Sequence, residues 1–201
     1  MEFVRIVAAK VMTRSVFVPL VFTLDVSLRG IRPRIWRCFA VPASIKLSRL
    51  HAVLQLAMGW TDSHLHEFTD GVGTRYGIPE HNDEEPPQDE RKVRLDALIG
   101  ERGDTLDYLY DFGDSWEHEI VLQSVAPAPK RPVKAEFIAG EGKCPPEDCG
   151  GVPGYYEMLE ALADKGHSEH ERFKDWLIDG TFDPKGFDPV LTNLRLRSLR
   201  V

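Results

Sequence analysis

The chain has 201 residues, 42% hydrophobic and 28% charged, with a formal net charge of -7. That composition excludes wholesale disorder, which needs few apolar residues and a high net charge, and the length suits one sizeable core. An acidic whole disfavours nucleic acid as a partner, because phosphate neutralisation by Lys and Arg carries most of that affinity.

The densest basic stretches, Arg29 to Arg37 and Arg195, Arg197 and Arg200, are short and interleaved with apolar residues. No apolar run reaches the ~18 residues that a membrane span needs. Three cysteines, an odd number, argue against a secreted disulfide framework. A cytoplasmic protein is expected, with no membrane contact, and with an unknown protein partner or a homo-oligomer compatible with the composition.

Residues 1–18 show no sustained period and read as a leader or peripheral strand ahead of a single domain over 19–201. Leu20, Phe22, Leu24, Val26 and Leu28 then alternate with Val21, Thr23, Asp25 and Ser27, the period of a half-buried strand. Gly30 to Pro33 supplies a turn, and Arg34 to Val41 a second strand, which makes a hairpin. Ser44 is the expected N-cap of a helix with Leu47, Leu50, Val53, Leu54 and Ala57 on one stripe, and Gly59 ends it.

His64 to Phe68 reads as a strand, with His64, His66 and Phe68 on one face. A polar, Pro-containing loop covers 79–91, and Val93 to Ile99 suggests a short helix. Leu106, Tyr108, Tyr110 and Phe112 alternate, Gly113-Asp114 turns, and Trp116, His118, Ile120 and Leu122 complete a second hairpin. After a Pro-rich connection over 126–132, Phe137-Ile138 is a short apolar run. Two helices are expected over 155–163 and 169–178, and the tail from Phe182 is expected to dock on the sheet. The element order predicts an α+β fold, an antiparallel or mixed sheet built from β-hairpins with helices packed mainly on one face.

Three clusters hold the candidate chemistry: His64-x-His66, the run Asp111 to His118, and Cys144 to Gly151. They supply imidazoles, carboxylates and thiols, the ligands of zinc and other divalent transition ions. One residue from each makes a reasonable site, with His66, His118 and Cys144 as ligands and Asp111, Asp114 or Glu147 as base or further ligand. A Cys144 nucleophile paired with His118 would need an environment that stabilises its thiolate. The competing account is structural: histidines hydrogen-bonded in the core, Asp111 and Asp114 flanking a turn, Cys144 a small hydrophobe, Glu147 and Asp148 ahead of a helix. Asp111-Phe112-Gly113 spells a kinase magnesium triplet, but no glycine-rich nucleotide loop precedes it.

Several of these motifs together resemble the plasmid pRiA4b ORF-3-like family. They are Ile31-x-Pro33-x-Ile35-Trp36-Arg37, His64-Leu65-His66-x-Phe68, Tyr110-Asp111-Phe112-Gly113-Asp114-x-Trp116-x-His118, Cys144-Pro145-Pro146-Glu147-Asp148-x-Gly150-Gly151 with Gly154-Tyr155, and Phe182-Asp183-Pro184-x-x-Phe187-Asp188. The resemblance covers about residues 19 to 197 and implies a compact α+β domain found in plasmid, transposon-associated and chromosomal genes. In that family many members have an apolar residue where Cys149 stands here, which favours Cys144 over Cys149 as a ligand. The expected function is a non-catalytic interaction or accessory module associated with plasmid or transposon genes. The alternatives are a metal-dependent, hydrolase-like enzyme using the His/Cys/Asp cluster, and a nucleic-acid-binding accessory protein.

Overall fold

A computed structural model describes residues 18–79, 84–129 and 134–199. The leader expected over the first 18 residues therefore lies outside the described residues except for Val18, as do parts of the 79–91 loop and the 126–132 connection.

Alternation in the sequence becomes one eight-stranded sheet of order β5-β4-β3-β6-β7-β1-β2-β8. β1 (Leu20–Leu28) and β2 (Trp36–Pro42) form the first hairpin, with Leu24 opposite Phe39. β3 (His66–Thr69) pairs with β4 (Arg75–Gly77) and with β6 (Thr105–Tyr110). β6 and β7 (Trp116–Pro127) form the second expected hairpin, and β7 also runs antiparallel to β1. β5 (Gln88–Asp89) is parallel to β4, which makes the sheet mixed, and β8 (Glu136–Glu141) adds to β2.

The two faces differ as the period of two requires. Phe22, Leu24, Val26 and Leu28 are almost wholly buried, whereas Val21, Thr23, Asp25 and Ser27 stay half-buried on the other side. α1 (Leu47–Met58), α2 (Gly151–Ala163), α3 (His170–Trp176) and α4 (Pro189–Ser198) share one core cluster with the inward sheet residues. On the open face Arg29 pairs with Asp107 and Glu119, and Arg34 with Asp25. These arginines are tied to carboxylates instead of forming a free phosphate-binding patch.

Three local expectations are corrected. α1 is capped by Lys46, not Ser44: Leu47 N–H donates to the Val93 carbonyl at 3.0 Å and Leu95 N–H to Ile45 at 2.8 Å. That pairing holds the entering chain extended through residue 46. The 93–99 helix shrinks to a single 3-10 turn, Leu95–Ala97. β6 ends at Tyr110 because Asp111 takes a φ of 58°, and Phe112 is left exposed. The helix stop at Gly59 is as expected, with a left-handed φ of 92° that glycine adopts without strain.

Candidate metal centre

Three loops meet at one end of the sheet, and they are the segments that carry the three sequence clusters. Glu147 ties the third to the first: one carboxylate oxygen accepts from Thr61 N–H at 3.1 Å, the other from the Tyr110 hydroxyl. The same Tyr110 oxygen accepts from Ser63 N–H at 3.0 Å. Trp60 donates its indole N–H to the Pro145 carbonyl at 2.9 Å. Asp114 accepts from Gly150 N–H at 3.1 Å, which fixes the third loop against the hairpin turn. Glu147 and Asp114 therefore help to hold the loops together.

Inside this junction lie His64, Asp111 and Asp148. Asp111 folds back so that Oδ1 accepts from Gly113 N–H at 3.0 Å, a local Asx turn. Its other oxygen, Oδ2, faces His64 Nε2 at 3.6 Å, and Asp148 Oδ1 faces the same nitrogen at 3.3 Å. His64 Nε2 is buried and makes no hydrogen bond, so neither approach has hydrogen-bonding geometry. Both aspartates sit at positive φ, 58° and 63°, a cost that favours glycine unless something fixes the side chain. One donor atom from each residue lies within 4.8 Å of the other two.

Distance decides how to read this trio. A charge-assisted imidazole–carboxylate bond closes to about 2.7–2.9 Å. Donors held ~2.0–2.1 Å from a tetrahedral ion stand roughly 3.4 Å from one another. The separations of 3.3 and 3.6 Å match an ion's coordination edge better than a hydrogen bond. The Asp148 side chain is 70% exposed and that of Asp111 only 9%, so the trio opens to solvent on one side.

A second histidine cluster lies behind it. His51 and His66 stack with ring centroids 3.4 Å apart and planes 5° apart. Asp62 N–H donates to Gln55 Oε1 at 3.0 Å, which orients the amide so that its NH2 donates to the Tyr108 hydroxyl at 3.0 Å. Tyr108 then donates to His51 Nδ1 at 2.8 Å, and His51 Nε2 donates to Asp62 at 2.8 Å. With His51 neutral, every donor in this ring of four bonds meets an acceptor. Burial, and then the neighbouring His66, lower its pKa accordingly.

His66 Nε2 meets the buried Glu90 carboxylate at 2.8 Å. His51, Asp62 and His66 also bring donors within 4.8 Å. Parallel stacked rings, however, aim their in-plane lone pairs side by side and not at a shared point. This cluster therefore orders the core.

His66, His118 and Cys144 do not come together as one ligand set. His66 belongs to the stacked pair. His118 is fully buried between Tyr108 and Trp60, with Nδ1 2.9 Å from the Trp116 carbonyl and its pKa lowered to about 4 by burial. Cys144 lies against Met58 and Arg37, and burial pushes its thiol up to about 11, which opposes a thiolate nucleophile.

Of the candidate carboxylates, only Asp111 joins the trio. His64 and Asp148 both lie within the sequence clusters, but neither is among the ligands that the sequence singles out. His51 and Gln55 did leave a signal: two polar residues four apart, inside an apolar helix stripe.

The fold and site define an α+β protein with a one-sided mixed sheet and a histidine–aspartate junction at its loop end. The family model described as plasmid pRiA4b ORF-3-like protein matches residues 20–190, and the chain belongs to that family. It is 43% identical over 168 residues to the uncharacterised protein y4hQ of Sinorhizobium fredii (strain NBRC 101917 / NGR234), covering 81% of this chain and 84% of that one. It is also similar to the crystal structure of MM3350, a protein of unknown function from Methanosarcina mazei Go1. There the TM-score is 0.76 at 36% identity, over 87% of this chain and 98% of the other.

Proposed function

We propose that the protein is a divalent-metal-dependent enzyme of the hydrolytic kind, with His64, Asp111 and Asp148 as its ligands. The observation that carries this reading is the buried, unbonded His64 Nε2 facing two carboxylates at 3.3 and 3.6 Å. A buried polar atom without a partner costs about 1–3 kcal/mol, and an ion would remove that cost. One nitrogen and two carboxylate oxygens suit zinc or manganese. Three protein ligands with an exposed side leave a coordination position for water, whose pKa such an ion lowers towards ~7. An interaction or accessory module would need none of this arrangement.

The test is isothermal titration of zinc and of manganese into chelator-treated protein. One ion per chain is expected for the wild type and for Cys144→Ser. Affinity should fall at least about tenfold in His64→Ala and Asp148→Asn. Absence of binding in the wild type, or unchanged binding in both ligand variants, would overturn the reading.

A further inference from the structure

Away from the trio, a cleft of about 640 Å³ opens between the end of α1, the 143–147 loop and the segment from α3 to α4. That volume falls within the range of small-molecule sites. Its apolar lining includes Trp176 and Leu191, each 42% exposed, and the fully exposed Ile178. Three cations, Arg37, Lys143 and Arg195, line the same space.

Arg37 is the unusual one. It is 1% exposed, yet every strong hydrogen bond it makes goes to a neutral carbonyl: Nε to Ala57, Nη1 to Trp36 and Glu141, Nη2 to Gly142, all at 2.7–2.9 Å. Its remaining contacts are the Cys144 sulfur at 3.5 Å and the Phe187 ring face at 3.6 Å. No carboxylate lies within salt-bridge distance of Arg37, Lys143 or Arg195 among the described residues. Three carboxylates also line the cleft, and two of them hold hydrogen bonds to neutral donors that orient them but leave their charge in place. Glu147 is turned to Thr61 and Tyr110, and Asp188 caps the first turn of α4 through Val190 and Leu191 N–H at 2.9 Å. Asp179 is the third.

The Arg37 guanidinium touches no carboxylate, so its charge acts locally and low-dielectric walls strengthen it, although Glu147, Asp179 and Asp188 equal the three cations in number around the cleft. We propose that this cleft binds a small amphipathic carboxylate. Its apolar body lies against Trp176, Ile178 and Leu191, and its anionic head sits between Lys143 and Arg195. Arg37 has no free donor, so it acts through its field, and the two exposed cations make the direct contacts. The inference is independent of the ion site.

The probe pair is octanoate and octan-1-ol, which share a chain and differ in charge, titrated calorimetrically. Octanoate should bind one per chain, at least about tenfold more tightly than the alcohol. The Lys143→Gln/Arg195→Gln double variant should lose that discrimination with an unchanged melting temperature. Ile178→Asp should weaken both ligands. Equal affinity of acid and alcohol, discrimination surviving the double variant, or failure of both to bind would overturn the proposal. Failure of both would fit a cleft built for a protein segment.

Discussion

At the scale of single residues, His118 makes the protein sensitive to acid. Its imidazole is wholly buried, and burial lowers its pKa from 6.5 to about 4. Between those values the unfolded chain binds a proton that the folded chain refuses, so stability is full above pH 6.5 and falls as pH drops towards 4. His51, lowered by the same cause, acts in the same direction. From pH 7 to pH 5 the His118 share of the loss is about 2 kcal/mol. Urea unfolding at the two pH values should show it as a shifted midpoint with an unchanged slope; equal midpoints would contradict the assignment. The sequence placed His118 on the inward face of its strand correctly, because strand periodicity is a local property. It gave no sign that Asp148 would face His64, since that contact depends on positive backbone φ values and on Glu147 and Asp114 holding the loop.

At the scale of elements, the start of α2 shows how closely the third loop is fitted. A methyl group added at Gly154 would overlap the Cys149 carbonyl oxygen, and one at Gly151, whose φ is 66°, would overlap that of Asp114. Backbone atoms on both sides leave no flexible side chain to give way. Gly154→Ala should therefore cost about 2–4 kcal/mol, against the small gain that alanine brings to an open helix position. Thermal denaturation beside Gly166→Ala, in the turn after α2 where the nearest atom belongs to the flexible Asp164 side chain, gives the effect of a glycine replacement without backbone crowding. Both hairpins and the apolar stripe of α1 were legible, because alternation and helical spacing are written into consecutive residues. The start of α1 was not, since the 93–95 segment that keeps residues 45–47 extended is remote in sequence. The α1 stripe also concealed His51 and Gln55, whose partners Asp62 and Tyr108 come from a loop and a distant strand.

At the scale of the whole molecule, the sheet buries one face under its helices and leaves the other to paired charges. Its edges differ: β5 is only two residues long, and α4 packs beside β8. An ion held only by the folded state stabilises that state by mass action, about 2.7 kcal/mol at a hundredfold excess over Kd. For a chain of this size that corresponds to a melting temperature raised by roughly 5–10 °C. Scanning calorimetry with and without zinc should show the shift in wild type and its loss in Asp148→Asn. The proposed ligands come from three loops, at residues 64, 111 and 148, which β3, β6 and α2 bring together. During synthesis the first two emerge well before the third. A nascent or truncated chain ending before Asp148 would carry two of the three proposed ligands and no means of closing the set, so ion loading would report that the 148 loop has been made and has docked.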